Sequence, residues 1–582
     1  MQTPRPSRAP GLTIGVAAAW VALASTSAAF AQEARQRPFE GDIVVRAILD
    51  TPEEVARMLE ISPDPWSHRV GVGSGEFRIP AGSRGALDAS GIDYEVFIPD
   101  LQAVVDAERD SIALRIGAFY DSFQPPAAIS DQMDAVVTLR PDLATRITIG
   151  QSIEARNIDA LRIGAAGVDK PAVLFFATQH AREWIAPMTA TYLAERLVTD
   201  YDTDPEVQRL LDAVDFYIIP IANPDGYAYS WASGSNRFWR KNRRNNPGSA
   251  EGVDLNRNWA TGWGGSGSSG TYSSEVYRGT APFSEPETAA IRDFVIGHPE
   301  IGAMIDMHTY GELILSPPGY NTSVAPHPDD KTFDGLSADL QDAVASVNGH
   351  EYFFGPAGAA LYVAAGDAPD WHYEEHQMLS WTFEMRPETS FQGGFAPPAD
   401  QILPNCEEFF PAALLLADMA LRSADIRVLT NLPSEVEADT PTALTARIYP
   451  LVAYSSVDAG SVTLHARTSP GDAFQAIPMS AQAGDQYTAS LPGGPGGSTI
   501  EYYIEAAATG GPATTLPPLG ADAPFTLAVA NPYDLSGDGV VDGSDLGILL
   551  GAWGTSEPLA DLNGDGTVDG SDLGILLGAW TV

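Results

Sequence analysis

Hydrophobic positions follow two rhythms along the chain. Over residues 39–49 apolar and polar side chains alternate, the period of a half-buried strand. Residues 51–59 repeat at helical spacing, Tyr94-Glu95-Val96-Phe97-Ile98 alternates again, and 100–109 reads as a helix with Asp100 at its N-cap. A small α+β unit is expected over 38–110. From about 115 onward further strand-like runs appear: Ala172–Ala177, which is apolar on both faces, and 214–220, 301–307 and Leu379–Met385. Such runs suit interior strands of a mostly parallel sheet. Amphipathic helices alternate with them. One is expected over 187–198, with Pro187 in the first turn, where its missing N–H costs nothing. Ser284-Glu285-Pro286-Glu287 reads as a capping box opening another. The fold class expected for 115–425 is therefore α/β, a mixed, mostly parallel twisted sheet flanked by helices. In such sheets a site lies beyond the carboxyl ends of the strands. The glycine- and serine-rich stretch 262–270 lacks the Gly-Lys-Ser/Thr ending of a phosphate loop and is expected to be a surface loop.

After about residue 426 the pattern shortens. Thr463-Leu464-His465-Ala466-Arg467 and Thr499-Ile500-Glu501-Tyr502-Tyr503-Ile504 alternate between Gly and Pro turns. This spacing predicts a β-sandwich of immunoglobulin or fibronectin type III kind over 426–530. Residues 531–582 are a duplication: Asp534-Leu535-Ser536-Gly537-Asp538-Gly539 recurs 27 residues later as Asp561-Leu562-Asn563-Gly564-Asp565-Gly566. Each copy places oxygen ligands as a calcium loop does, at positions 1, 3, 5, 9 and 12, with glycine at 6 and a carbonyl at 7. In the first copy these are Asp534, Ser536, Asp538, Asp542 and Asp545, with the carbonyl of Val540. In the second they are Asp561, Asn563, Asp565, Asp569 and Asp572, with the carbonyl of Thr567. Nine acidic residues and no Lys or Arg lie in 531–582, so two bound Ca²⁺ ions would relieve strong repulsion.

With 582 residues the chain is too long for one core, in keeping with these several segments. Arg5 and Arg8, an apolar run over 12–24 and Ala29-Phe30-Ala31 read as a secretory signal, 1–31, cleaved before Gln32. A secreted or cell-surface protein is the expectation. The formal charge of −43 argues against nucleic acid as a partner, because phosphates would be repelled. Cys406 is the sole cysteine, which excludes an internal disulfide, and it is expected to be an inert core thiol.

The chemistry stands at the strand ends. His180 and Glu183 follow one buried strand, His308 closes a second and Glu384 a third. Two imidazoles and one carboxylate leave a fourth zinc position open for water, and a spare carboxylate can take that water's proton. His-x-x-Glu alone is weak; its surroundings strengthen it. A competing pattern, His372-Tyr373-Glu374-Glu375-His376, fits an inverted zinc-protease signature, yet is expected to be ordinary helix polarity.

Several stretches recur in one family in this order: Gln179-His180-Ala181-Arg182-Glu183-Trp184, Asn223-Pro224-Asp225-Gly226-Tyr227, Arg237-Phe238-Trp239-Arg240-Lys241-Asn242-Arg243, Gly252-Val253-Asp254-Leu255-Asn256-Arg257-Asn258-Trp259, Asp306-Met307-His308-Thr309-Tyr310 and Thr382-Phe383-Glu384-Met385-Arg386. Over 115–425 the chain resembles the zinc carboxypeptidases of the pancreatic carboxypeptidase A/B type. The resemblance implies the carboxypeptidase fold and one catalytic Zn²⁺ on His180, Glu183 and His308, with Asp254 behind His180. It implies Glu384 as general base and proton donor and Arg240 as oxyanion donor. Asn256, Arg257 and Tyr362 would grip the free C-terminal carboxylate of a peptide or protein substrate, and Arg182 and Tyr310 would contact the chain further upstream. Gly319, Ala364, Asp367, Pro369 and Thr382 would line the pocket for the terminal side chain. Asp367 suggests a broad pocket that takes apolar, aromatic and basic ends; its competing role is to cap the next helix.

Residues 38–110 resemble the activation segment of secreted carboxypeptidases, an inhibitory lid removed by proteolysis near 109–117. The C-terminal repeat resembles type I dockerin repeats, which implies a cohesin-like or cell-surface partner. The reading is an exported metallocarboxypeptidase; the alternative from another class is an inactive, calcium-dependent surface-binding protein.

Overall fold

The computed structural model describes residues 37–67, 71–114, 118–322 and 329–581. The expected signal, 1–31, lies outside them, as do residues 115–117 of the expected processing segment. The described chain divides into two compact units, one ending at Ala420 and the other beginning at Leu421.

The first unit opens with a three-stranded antiparallel sheet in which β1 (Ile43–Leu49) lies between β2 (Gly73–Ile79) and β3 (Asp93–Ile98). Alternation divides the two faces of β1. Ile43, Val45, Ala47 and Leu49 share a core with Met58, Phe77, Ile79 and Leu87, while Val44 faces Trp66, Ile98 and Leu101. Helix Pro52–Ile61 starts at Thr51, whose hydroxyl accepts the Glu54 N–H at 3.2 Å while Glu54 reaches back to the Thr51 N–H at 3.2 Å. Helix Leu101–Leu114 begins where Asp100 accepts the Ala103 N–H at 3.0 Å, and runs past the expected end at 109.

Within the same unit an eight-stranded mixed sheet follows: β4 (Ala144–Gln151), β5 (Asn157–Ile163), β6 (Ala172–Ala177), β7 (Asp215–Ile219), β8 (Ile301–Thr309), β9 (Leu313–Ser316), β10 (Phe353–Pro356) and β11 (Leu379–Met385). Its order is β10-β9-β11-β8-β6-β7-β5-β4. The central run β11-β8-β6-β7 is parallel, and β9, β5 and β4 join antiparallel. Every residue of β6, β7 and β11 is buried, as the two-faced apolar pattern of β6 requires, while β11 also buries the alternating polar residues Ser380, Thr382 and Glu384. Helix Ile185–Asp200 holds Pro187 in its first turn, and Cys406 is a buried thiol of helix Ile402–Met419.

One local expectation fails. Helix Pro286–Gly297 has Glu285 as its N-cap residue, with no side-chain cap bond, in place of the expected Ser284 box. Ser284 Oγ donates to Glu285 Oε1 at 2.8 Å, Arg244 Nε claims the same carboxylate at 2.6–2.7 Å, and Glu287 Oε1 accepts the distant Ile153 N–H at 3.1 Å. Buried tertiary partners outcompete the local cap, because a carboxylate without one would cost more than the cap gains.

The second unit holds a four-stranded sheet that includes Thr442–Pro450 and a six-stranded sheet that includes Thr499–Ala507. Inward residues of both, among them Leu444, Ile448, Leu464, Ile500 and Ile504, share one core. Two helices of identical sequence, Gly543–Gly551 and Gly570–Gly578, follow, capped by Asp542 and Asp569. Leu535, Val541, Leu549, Ala560, Val568 and Leu576 form their common core. Among the described residues no helix is long and apolar enough to cross a membrane.

Candidate active site

At the carboxyl edge of β6 the chain leaves the sheet through a tight turn in which the Glu183 N–H donates to the His180 carbonyl at 3.3 Å. This turn brings His180 and Glu183 over β8, whose penultimate residue is His308. Glu384 on β11 is the register partner of His308. The ligand atoms of His180, Glu183 and His308 all lie within 4.8 Å of one another, and all three residues are buried. Among the described residues it is the one group of three or more such side chains that converges in this way.

Both imidazoles turn Nδ1 inward, His180 to 2.8 Å from Glu183 Oε1 and His308 to 2.9 Å from Glu183 Oε2. Both outer nitrogens rest on carboxylates: His180 Nε2 lies 3.0 Å from Asp254 Oδ1, and His308 Nε2 lies 2.8 Å from Asp306 Oδ2. Two inward nitrogens, one inward carboxylate and a carboxylate behind each ring are a donor set that suits zinc. Burial opposes ionisation of Glu183, but the two imidazoles overcome it and hold its pKa well below the ordinary value. Burial likewise opposes charge on Asp254, and Arg240 and His180 overcome it.

Two buried cations flank the cluster. Arg240 Nη2 donates to Asp254 Oδ2 at 2.9 Å, and its Nη1 lies 3.3 Å from His180 Nδ1, so the guanidinium points at the ligand cluster. Arg257 donates through Nη1 to the Asn256 carbonyl at 2.6 Å, through Nε to the Gly267 carbonyl at 2.9 Å and through Nη2 to Tyr362 Oη at 2.8 Å. The surface loop 262–270 thus has a structural task. Asn256 Oδ1 accepts the Ala368 N–H at 3.0 Å. Gly366, at φ +88°, lets the segment before helix Ala368–His376 pass close to Arg257, because a Cβ there would lie 2.7 Å from the Arg257 carbonyl oxygen.

A family model described as zinc carboxypeptidase matches residues 129–412. Carboxypeptidase A4 of Mus musculus is 36% identical over 394 residues, which cover 64% of this chain and 91% of the mouse protein. The chain belongs to the zinc carboxypeptidase family. Its His180–Glu183–His308 cluster is the zinc site of an exopeptidase that acts on a C-terminal peptide bond. Two solved structures resemble it. The thrombin activatable fibrinolysis inhibitor is 28% identical with a TM-score of 0.60, covering 66% of this chain and 99% of that one. The carboxypeptidase A of Helicoverpa armigera is 26% identical with a TM-score of 0.57, covering 65% of this chain and 98% of that one.

Elsewhere in this carboxypeptidase, Asp367 is buried and serves as the N-cap of helix Ala368–His376, accepting the Asp370 N–H at 3.2 Å. It also faces Gly319, where an added Cβ would overlap its carboxylate, so the capping role coexists with close contact to the Gly319 backbone. Burial, reinforced by Asp370, raises the Asp367 pKa well above the ordinary value, and burial lifts Asp370 to about 6. Among the described residues the His372–His376 pattern forms no metal group. His372 Nδ1 donates to the Ala368 carbonyl at 2.7 Å, and its ring lies among Phe176, Trp259 and Trp371.

Side chains of the N-terminal segment reach Tyr310, Arg182 and Arg237. Tyr310 donates its hydroxyl to Glu76 Oε2 at 2.7 Å. Arg182 donates to Asp64 Oδ1 and to the Pro65 carbonyl, both at 3.2 Å, while its guanidinium lies 3.9 Å from the Phe395 ring centre. Arg237 forks onto Glu108 at 2.7 and 2.9 Å. Trp66, fully buried, packs against Phe238 and Phe395 at centroid distances of 4.9 and 5.6 Å. Sequence reasoning singled out neither Asp306 nor the Glu108–Arg237 pair. An acid two residues before His308, in an otherwise apolar central strand, was the available signal for Asp306.

In the C-terminal loops the aspartates bind backbone. Asp534 accepts N–H groups of Gly537 and Gly539, each at 2.7 Å, and Asp561 accepts that of Gly566 at 2.7 Å. Asp545 and Asp572, both buried, accept the Ser536 and Asn563 N–H groups at 2.8 and 3.0 Å.

Proposed function

We propose that this zinc carboxypeptidase is exported and releases C-terminal residues from peptides and proteins, with Glu384 as general base and Arg240 as oxyanion donor. The observation that carries this reading is the zinc cluster set beside two buried guanidinium groups, one aimed at the ligands and one held behind Asn256. Bound zinc supplies Lewis acidity and makes a nearby water nucleophilic at neutral pH. Glu384 takes the proton of the attacking water and returns it to the leaving amine. Arg240, already oriented by Asp254, donates to the oxygen on which negative charge develops. The Arg257 fork and the Asn256 amide receive the substrate's terminal carboxylate, a task suited to a planar guanidinium. Tyr362, whose hydroxyl meets Arg257, closes over that carboxylate. The test is release of the last residue from a free peptide and from the same peptide ending in an amide. Only the free acid is processed, and a chelator or Glu384→Gln abolishes release; equal cleavage of the amide would overturn the reading.

Residues 38–110 are read as an activation segment. Support comes from Asp64 and Glu76, which bond to Arg182 and Tyr310, two residues assigned to the substrate. Residues 426–530 are read as a β-sandwich, and 531–582 as a dockerin-like repeat with two Ca²⁺ sites that attaches the enzyme to a cohesin-like or cell-surface partner. The loop spacing and the glycines at φ +91° and +90°, Gly539 and Gly566, support the calcium reading. Calcium titration of the full chain with a thermal readout tests it: Tm rises with Ca²⁺ and ceases to do so in the Asp545→Asn/Asp572→Asn variant. Ca²⁺-dependent binding of the full chain to an immobilised cohesin domain, absent in the same variant, tests the partner.

A further inference from the structure

Asp306 is an unusual residue for its position. It lies in β8, the strand at the centre of the parallel run, with Phe176 and Thr382 as its register partners. It is completely buried, and a carboxylate there is costly unless something specific holds it. Two donors reach one of its oxygens: Oδ2 lies 2.8 Å from His308 Nε2 and accepts the Gln179 Nε2–H at 2.7 Å. Its other oxygen, Oδ1, has no hydrogen-bond partner among the described residues. Gln179 is itself pinned, since its Oε1 accepts the Trp259 indole N–H at 3.1 Å and its carbonyl accepts from Asn223 Nδ2 at 3.0 Å. Trp259, Gln179 and Asp306 therefore form a rigid relay ending at His308.

Two side chains approach His308 Nε2, and only one suits a metal-bound ring. Asn256 Nδ2 lies 3.3 Å away and would need Nε2 to be the acceptor, which would leave the proton on Nδ1, the nitrogen that faces Glu183. Asp306 demands the opposite, a proton on Nε2 and a lone pair on Nδ1. The carboxylate is closer and charged, so it dictates the tautomer.

We infer that Asp306 is a positioning residue that holds His308 as its Nε2–H tautomer and delivers Nδ1 to the zinc, so that both imidazole ligands are backed by carboxylates, Asp254 on one side and Asp306 on the other. This rests on the zinc reading of the cluster. It also frees the Asn256 amide from His308, leaving its N–H groups for the substrate. Carboxylate backing makes a ring a stronger donor, and losing such a partner costs about 10–100-fold in metal affinity.

The experiment is zinc affinity by chelator competition on the full chain, with Tm measured on the zinc-stripped protein. The parent binds one zinc; failure to do so would remove the underlying reading and this inference with it. Asp306→Asn, isosteric but uncharged, weakens zinc by about 10–100-fold while the Tm of the stripped protein holds or rises. Should that variant not fold, Asp306→Ser carries the same expectation. Gln179→Met leaves the carboxylate wholly to His308 and keeps zinc affinity within about threefold. The inference fails if the parent binds zinc and Asp306→Asn binds it equally well. It fails too if Gln179→Met loses zinc as severely as Asp306→Asn, since that would make the relay mere packing.

Discussion

Arg240→Met separates a transition-state contact from a structural one. Arg240 is 4% exposed, and the substitution keeps the length of the stem while removing the guanidinium, which is bonded to Asp254 Oδ2 through Nη2 at 2.9 Å and Nε at 3.3 Å. Two costs follow. Asp254 loses one charged partner but keeps His180 Nε2 and the Asn256 N–H, at 3.0 and 3.1 Å, so the fold loses about 1–3 kcal/mol. On the role proposed for Arg240 the reaction also loses an oxyanion donor, worth about 2.7–4 kcal/mol, or roughly a 100- to 1,000-fold fall in kcat. Because the terminal carboxylate is assigned to Arg257 and Asn256, KM should stay within about threefold; an interaction made only in the transition state lowers kcat and kcat/KM together. The assay is steady-state release from a free-acid peptide, with zinc content and Tm measured on the same sample, since Asp254 also positions a ligand. A kcat within tenfold of the parent at full zinc occupancy refutes the oxyanion role; a rise in KM alone moves Arg240 to ground-state binding.

Other expectations are equally concrete. Asp367→Asn should lower the kcat/KM ratio for C-terminal Arg over Phe peptides by about 10–100-fold, the worth of a charged hydrogen bond; an unchanged ratio leaves Asp367 as a helix cap only. Asp64→Ala combined with Glu76→Ala, both outside the catalytic machinery, should raise the activity of the uncleaved chain roughly tenfold by freeing Arg182 and Tyr310; no change before proteolysis, with full activity after it, would show that these contacts do not restrain the enzyme. Burial lifts the Glu287 pKa from 4.5 to about 7, so its neutral form stabilises the fold fully below pH 4.5 and that stability is lost as pH rises toward 7. Denaturant unfolding at pH 5 and pH 8 should show a loss about 1–3 kcal/mol smaller in Glu287→Gln than in the parent; parallel losses would place the titration elsewhere.

Strand periodicity located β1, β3, β6, β8 and β11 but did not give the burial of each, since β3 leaves Tyr94 and Val96 exposed and β11 buries Ser380, Thr382 and Glu384. The order of strands in the sheet was not legible, since pairing depends on chirality and packing between segments far apart in the chain. The same division runs through the site. The residues His180, Glu183, His308, Asp254 and Arg240 were recognisable from their motifs, but their convergence within a few ångströms is a property of β6, β8 and the turn after β6.

Sequence by itself determined the His-x-x-Glu pair and the duplicated acidic loops, which are matters of residue type at a short spacing. The roles proposed for Glu384, Asn256 and Arg257 came from the family resemblance of their motifs. Only tertiary structure decided that Asp306 meets His308 Nε2 along one face of β8, that Glu108, Asp64 and Glu76 reach Arg237, Arg182 and Tyr310, and that Glu285 spends its carboxylate on Arg244 in place of a helix cap. These partners lie tens to hundreds of residues apart, or within a strand whose direction only the sheet defines. A buried charge takes whatever donor the fold brings to it, because leaving it alone costs more than any local bond returns.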